Sequence, residues 1–438
     1  MKKYSKYRNS GVEWIGEIPV HWDTLLLKYV IDYNKKSLPE NTPNDYSFEY
    51  IEISDVNEKG EIVNKTPYIF QDSPSRCRRI LHKGDVFIST VRTYLKSIGY
   101  VKEDVVDLIC STGFCVLSPR NSILSEYLFF QVLTEYFISE VISHSEGVSY
   151  PSITPTDLIN IRVILPTLQE QSQIVTYLDQ KTYIIDDLIQ KKLRKIELLK
   201  EQRQSIINRA VTKGLKPEVR MKNSGMNWIG EIPEHWYLKK VSYLSKGMIS
   251  GPFGSSLKKE YYTKTGFKIY GQEQVISDDF SFGDYYISED KFNELKRCEI
   301  FKDDVLISCV GTFGKISLVP EKFERGIINP RLLKLTPNEL IVPKYFLILL
   351  RSEISFSQLE SLSRGGTMDI INLEILKQIE FPLPPIDEQH QITDYLDKKT
   401  SKIDKQVDLE NRKIDLLKEY RQSLISEVVT GKIDVRTN

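Results

Sequence analysis

Glu289-Asp290-Lys291 places a carboxylate two residues before an ammonium, the local spacing that metal-dependent nucleases use around a scissile phosphate. Such a site needs further clustered carboxylates. No Pro-Asp partner accompanies this triplet, and acidic-x-Lys runs arise by chance in a chain that is 27% charged. Asn329-Pro330 begins like the Asn/Asp-Pro-Pro-aromatic loop that holds a flipped adenine in a methyltransferase, but it continues with Arg331. Gly251-Pro-Phe-Gly-Ser-Ser256 has the glycines of a phosphate loop without the Gly-Lys-Ser/Thr ending that binds nucleotide and magnesium, so it reads as a structured turn. His21 and His235 each stand between a proline and a tryptophan with no partner nearby in sequence, and read as packed or hydrogen-bonded rings. Cys77, Cys110, Cys115, Cys298 and Cys309 form no CxxC and, with the histidines, give no zinc spacing. Among apolar neighbours they read as reduced, mostly buried thiols. The sequence therefore predicts no catalytic centre, no metal and no cofactor on this chain.

The other chemistry such residue types can do is contact. Were the ligand a nucleic-acid groove, it would be read by Arg, Lys, Asn, Gln, Ser or Thr on loops, with cations on phosphates. The first half offers Arg76, Arg78 and Arg79, then Arg92, Tyr94 and Lys96 just past a strand, then Ser149 and Tyr150 in the Gly147 turn. The second half offers Ser255 and Lys258 after the Gly-rich turn, Thr312 and Lys315 in Gly311-Thr-Phe-Gly-Lys315, and Arg325, Arg331, Arg364 and Thr367.

The elements that must position them come in two copies. Arg194-Lys-Ile-Glu-Leu-Leu-Lys-Glu-Gln-Arg-Gln-Ser-Ile-Ile207 recurs, 218 residues on, as Arg412-Lys-Ile-Asp-Leu-Leu-Lys-Glu-Tyr-Arg-Gln-Ser-Leu-Ile425. Both read as helix: strong helix formers, no Gly or Pro, apolar residues at three- and four-residue steps. The first helix is predicted from about Leu168 to about Thr212, roughly 65 Å long. Its narrow apolar stripe includes Leu178, Ile185, Ile189, Ile196 and Leu199, and the second stripe includes Leu396, Ile403, Val407, Ile414 and Leu417. A narrow stripe on a long polar helix implies one partner helix rather than a core on all sides, and the pair is expected to act as a spacer in antiparallel register.

Before each helix lies mixed material. Strands are predicted at Tyr46–Ser54, Asp85–Val91, Phe114–Leu117 and Leu158–Leu165, with an amphipathic helix over Ser125–Ser143. The second half repeats the order at Phe267–Tyr270, Asp304–Ser308 and Arg331–Leu335, with a helix at Tyr345–Leu350. Asn9-Ser-Gly-Val-Glu-Trp-Ile-Gly-Glu-Ile-Pro-Val-His-Trp22 returns as Asn223-Ser-Gly-Met-Asn-Trp-Ile-Gly-Glu-Ile-Pro-Glu-His-Trp236. Its large apolar groups Trp14, Ile15, Ile18 and Trp22 are expected to pin an irregular segment onto a core. The loops differ freely between halves, as in two recognition heads on like supports.

These motifs carry a family resemblance. Trp-Ile-Gly-Glu-Ile-Pro-x-His-Trp at 14–22 and 228–236, Leu-Pro-x-Leu-x-Glu-Gln at 165–171, Pro-Leu-Pro-Pro-Ile-Asp-Glu-Gln at 382–389 and the twin helices together resemble the specificity subunit of Type I restriction-modification systems. The resemblance implies an α+β protein of two α/β target-recognition domains, each followed by a long helix, the helices pairing as an antiparallel coiled coil with pseudo-two-fold symmetry. The expected boundaries are 1–166 and 216–385 for the domains, and 167–215 and 386–438 for the helices. It implies a non-catalytic scaffold that reads one half of a bipartite double-stranded DNA site per domain. It also implies two copies of a methylation subunit and a restriction and translocation subunit as partners, with S-adenosylmethionine, ATP and magnesium on those partners. The alternative is a two-lobed coiled-coil scaffold that binds protein or RNA.

Composition fits. With 438 residues, 40% of them hydrophobic, the chain is long enough for two cores. Sixty basic and sixty acidic residues cancel, so any DNA-binding charge must be local. No basic start leads into an apolar run and no segment approaches a membrane span, so a cytoplasmic protein is expected.

Overall fold

The computed structural model describes residues 2–309, 315–362 and 373–436. The chain forms two compact units: Met1–Leu193 with Asn411–Asn438, and the continuous stretch Arg194–Glu410. Each is α+β, built on two four-stranded sheets.

In the first unit one sheet is antiparallel, in the order Ile31–Tyr33, Phe114–Pro119, Val86–Ser89, Ile98–Tyr100. Val86–Ser89 is buried on both faces, which is why it reads as an unbroken apolar run rather than an alternating one. The other sheet runs Thr66–Ile69, Ser47–Ile51, Leu108–Ser111, Cys77–Leu81, with Ser47–Ile51 and Leu108–Ser111 parallel. The second unit repeats this plan. Ser245–Ser250, Leu332–Pro337, Val305–Ser308 and Ile316–Leu318 make the antiparallel sheet, and Phe267–Tyr270 runs parallel to Gly326–Ile328 in the other.

Some local expectations are corrected. The helix predicted over Ser125–Ser143 is two helices, Ser125–Val132 and Glu135–Ser143. The break falls at Thr134, whose extended backbone lets its hydroxyl donate to the Gln131 carbonyl, and Gln422 of the second long helix donates to the Leu133 carbonyl freed there. The second unit breaks alike, between Pro343–Leu350 and Glu353–Leu362. The strand predicted from Leu158 is a capped helical turn, Pro155–Leu158, followed by a shorter strand, Arg162–Leu165. The Arg76–Arg79 segment, expected in a loop, enters the edge strand Cys77–Leu81.

The long helices are Leu168–Lys213 and Ile386–Val429, and each contributes to both units. In the first unit Glu170 meets Arg436 at 3.7 Å and Asp186 meets Arg421 at 3.2 Å. In the second, Lys195 meets Glu410 at 2.8 Å and Arg203 meets Asp404 at 2.9 Å. Residue numbers rise along one helix as they fall along the other, so in each unit the helices run antiparallel. Leu178, Ile185, Ile189, Ile196, Leu199, Leu396, Ile403 and Ile414 are buried, and Val407 and Leu417 half-buried. The stripe also does a second job. At one end Ile207, Ala210, Val211, Ile392 and Leu396 join Trp236, Tyr345 and Phe346 in the second unit's core.

Candidate nucleic-acid interface and its supports

Each unit is tied to its long helix by one repeated device. Trp22 is fully buried, its indole N–H donates to Glu170 Oε1 at 3.3 Å, and His21 Nε2 lies 2.9 Å from the same oxygen. Trp236 and His235 meet the two oxygens of Glu388, Oε2 at 3.1 Å and Oε1 at 2.8 Å. The histidines are thus hydrogen-bonded, as expected, but by a partner some 150 residues away that sequence spacing could not reveal. The next residue completes the device. Buried Gln171 donates to the Ser122 and Pro166 carbonyls and accepts from Leu124 N–H, and Gln389 repeats this with Leu340, Pro384 and Val342. The Glu-Gln pair therefore does more than meet the helix dipole: it fastens the preceding chain to the helix start. Burial raises the Glu170 pKa, but hydrogen bonds from His21, Trp22 and Thr167 outweigh it and hold the carboxyl below the usual range.

In the first unit the candidates gather along one rim at the ends of buried strands. Ser89 N–H donates to Ser97 O and Thr90 N–H to Gly113 O, which closes the strand end against two turns. Thr112 N–H donates to Arg76 O, Ile153 N–H to Thr90 O and Arg92 N–H to Pro151 O. These bonds string Arg76, the Thr112–Gly113 turn, Arg92 and the 146–152 loop together. Arg92 and Lys96 both take left-handed backbone (φ 51° and 53°), which costs about 1–3 kcal/mol each for a non-glycine residue and persists only where neighbours enforce it. Here the neighbours are visible: the Arg92 guanidinium lies over the Tyr150 ring at 4.9 Å, and Thr93 Oγ1 is 2.9 Å from Ser145 Oγ. Tyr94, Lys96, Ser149 and Tyr150 stay exposed. Arg78 and Arg79 are more internal: Arg78 lies over Phe70 at 5.0 Å, and Arg79 donates to Ser37 Oγ at 3.1 Å.

The second unit builds the same rim with different residues. Ser308 N–H donates to Lys315 O and Cys309 N–H to Arg331 O, the counterparts of the bonds at Ser89 and Thr90. Arg331 donates to Gln272 Oε1 at 3.4 Å, and Gln272 donates to Ser308 Oγ at 2.7 Å. Gly251 closes the cluster. Its N–H donates to Leu332 O, and a Cβ there would stand 1.8 Å from Asn329 O, so only glycine lets the Gly251–Ser256 turn lie against the Asn329–Arg331 turn. Lys315 and Ser255 are exposed on this rim, and Lys258 pairs with Glu260 at 3.6 Å. Arg325 is elsewhere: Glu299 holds it at 2.6 Å and it lies over Phe292 at 4.9 Å, which makes it a brace. Thr312, Arg364 and Thr367 lie outside the described residues.

Enzyme chemistry finds little footing. Asn329 Oδ1 accepts from Arg331 N–H in a turn, and Lys291 of the nuclease-like triplet pairs with Glu294 and lies over Tyr261. Among the described residues no His/Cys/Asp/Glu group has metal-ligand geometry, and no helix is long and apolar enough to cross a membrane. All five cysteines are free and buried, and burial pushes the Cys77 thiol up to about 11.

Two like α/β units on shared antiparallel helices, with rims built alike and furnished differently, define a tandem recognition scaffold. Residues 19–198 and 253–419 match the family described as Type I restriction modification DNA specificity domain, and the chain belongs to that family. A putative type I restriction enzyme MjaX specificity subunit from Methanocaldococcus jannaschii is 23% identical over 99% of both chains. The type I restriction enzyme EcoBI specificity subunit from Escherichia coli is 25% identical over 73% of this chain and 68% of its own length. A solved structure from work on complex assembly and conformational transition of the type I R-M system covers 95% of this chain and 99% of its own, with a TM-score of 0.75 at 22% identity. The HsdS subunit from Thermoanaerobacter tengcongensis gives a TM-score of 0.51 at 23% identity, covering 95% of this chain and 98% of its own. At these identities the structural likeness is one of fold.

Proposed function

We propose that this chain is the non-catalytic specificity subunit of a Type I restriction-modification complex, reading a bipartite double-stranded DNA site with one half-site per unit. The observation that carries this is the paired rim: one scaffold, built twice, bearing Arg92 with Tyr150 in one copy and Arg331 with Gln272 in the other. Different side chains at matched strand ends suit two different base sequences, while phosphate contacts fall to exposed cations such as Lys96 and Lys315. The repeated helices suit two copies of one methylation subunit, and a restriction and translocation subunit joins the assembly. S-adenosylmethionine, ATP and magnesium belong to those partners, and the setting is the cytoplasm.

The antiparallel helices set the gap between half-sites. The test is a matched insertion of two heptads, one into each long helix, in the complex with its methylation subunit. The expected result is a longer preferred gap with both half-sites unchanged. An unaltered gap in footprinting would overturn the spacer, and protection of a single continuous site would overturn the bipartite reading.

A further inference from the structure

The hairpin loop near the start of each unit is closely repeated. Ser10 N–H donates to Gly16 O at 2.9 Å, as Ser224 does to Gly230, and Gly11 and Gly225 N–H donate to Asn9 and Asn223 Oδ1, both at 2.8 Å. The glycines repeat as well, with φ 77° and 70° in one loop and 82° and 71° in the other, and nothing lies within 4 Å of a Cβ built on any of them. They are there for backbone conformation, not for space. Ile15 and Ile229 are buried and anchor the loops, while the tryptophans beside them point outward: Trp14 is 60% and Trp228 45% exposed, against an expected buried position for Trp14. The fold therefore leaves about half of each indole uncovered.

An exposed tryptophan on a rigid loop has the form of an interface anchor, since tryptophan contributes large contact area at low entropic cost. DNA is a poor occupant. Neither loop, 9–17 or 223–231, contains Lys or Arg, and each ends in an exposed carboxylate, Glu17 or Glu231, which phosphates would repel. The loops differ only at Val12 and Glu13, which become Met226 and Asn227, while the rims are furnished with different residues. We propose that Trp14 and Trp228 are twin anchors for one protein partner met twice, each indole filling an apolar pocket whose rim carries Lys or Arg facing Glu17 or Glu231. This rests on the reading above that two copies of a methylation subunit bind the chain.

The full-length chain, with Trp14→Ala, Trp228→Ala and both changes, is titrated with that subunit by calorimetry and light scattering. Each single variant is expected to keep one wild-type site and weaken the other at least 10-fold, the double variant to weaken both, and Phe at either position to restore much of the loss. The chain has four tryptophans, and Trp22 and Trp236 are buried, so they report that each variant is folded while Trp14 and Trp228 supply the iodide-quenchable emission. In the wild type that quenching should fall on complex formation. A double variant that takes up two copies at wild-type affinity overturns the proposal, as does unchanged quenching in the complex, or a loss confined to DNA binding. A wild-type chain that takes up no second copy overturns the twice-met partner, and this inference with it.

Discussion

The second unit buries a lysine where the first buries a valine. Val116 and Lys334 hold the same place in matching sheets, each one residue before the strand position opposite Val86 or Val305. Beside them lies a shared carboxylate. Asp85 accepts from His82 N–H and the Ser118 hydroxyl, and Asp304 from Phe301 N–H and the Thr336 hydroxyl. Only the second adds an ammonium, Lys334 Nζ at 3.5 Å, which also donates to Glu299 O. The rims differ as well. Thr90 N–H donates to Gly113 O in one turn, where the second unit puts an arginine: Cys309 N–H donates to Arg331 O. The supports where Trp, His, Glu and Gln meet are the same in both. The difference teaches which parts are free: interior partners and rim cations drift, while the attachment to the helices does not.

The largest expected effect tests the interior. Asp304→Ala strands a buried ammonium and should destabilise by about 3–5 kcal/mol, whereas Asp85→Ala unpairs the His82 N–H and the Ser118 hydroxyl and frees a half-exposed His82 ring at 3.7 Å, and should cost about 1–3 kcal/mol. Equal costs in denaturant unfolding would erase the distinction. Glu170→Gln should cost about 1–3 kcal/mol, since a charged acceptor shared by two rings becomes neutral. Because the folded Glu170 pKa is lowered, its stabilisation is present above the unfolded value and is lost as pH falls through the folded one. Thermal melts over an acid series should show a steeper decline for wild type than for Glu170→Gln, and parallel curves would remove the carboxylate from the account.

The rims come next. Arg92→Ala with Lys96→Ala in the assembled complex should weaken one half-site about 10–100-fold and leave the other recognised, and Arg331→Ala should do the reverse at about 10-fold. Binding to DNAs with one scrambled half-site measures this, and equal losses at both halves would dissolve the assignment. Least of all, Arg325→Ala should leave DNA affinity unchanged, because Glu299 and Phe292 already engage the guanidinium. A half-site defect would return Arg325 to the interface.

Periodicity and repetition made much of this legible. The long helices were readable because strong helix formers carry an unbroken stripe, and the buried strands because their apolar runs end at turns. Helix breaks were less so: Thr134 interrupts a sequence with helical pattern on both sides, and Gln422, close to 300 residues away, takes up the freed carbonyl. At the site, Arg92 and Tyr150 were both candidates, but their stacking depends on the backbone bond from Arg92 to Pro151. For Arg325 the partner had no local mark, because a strand-end arginine reads the same whether a phosphate or Glu299 receives it. The Glu-Gln pair was visible as a repeat, but its partners lie on other elements, so its fastening role had no local mark.

The division of the chain also bears on how it folds. Residues 194–410 form one unit without interruption, so everything that unit requires has been synthesised by Glu410. The first unit cannot close then. Tyr7 donates to Gly431 O, and Asp434 N–H to Lys2 O, so its earliest segment waits for its latest. The second unit can therefore be complete before the first, although the first begins earlier in the chain. A chain truncated after Glu410 and released should contain one protease-resistant unit, the second, with the segments of the first still open.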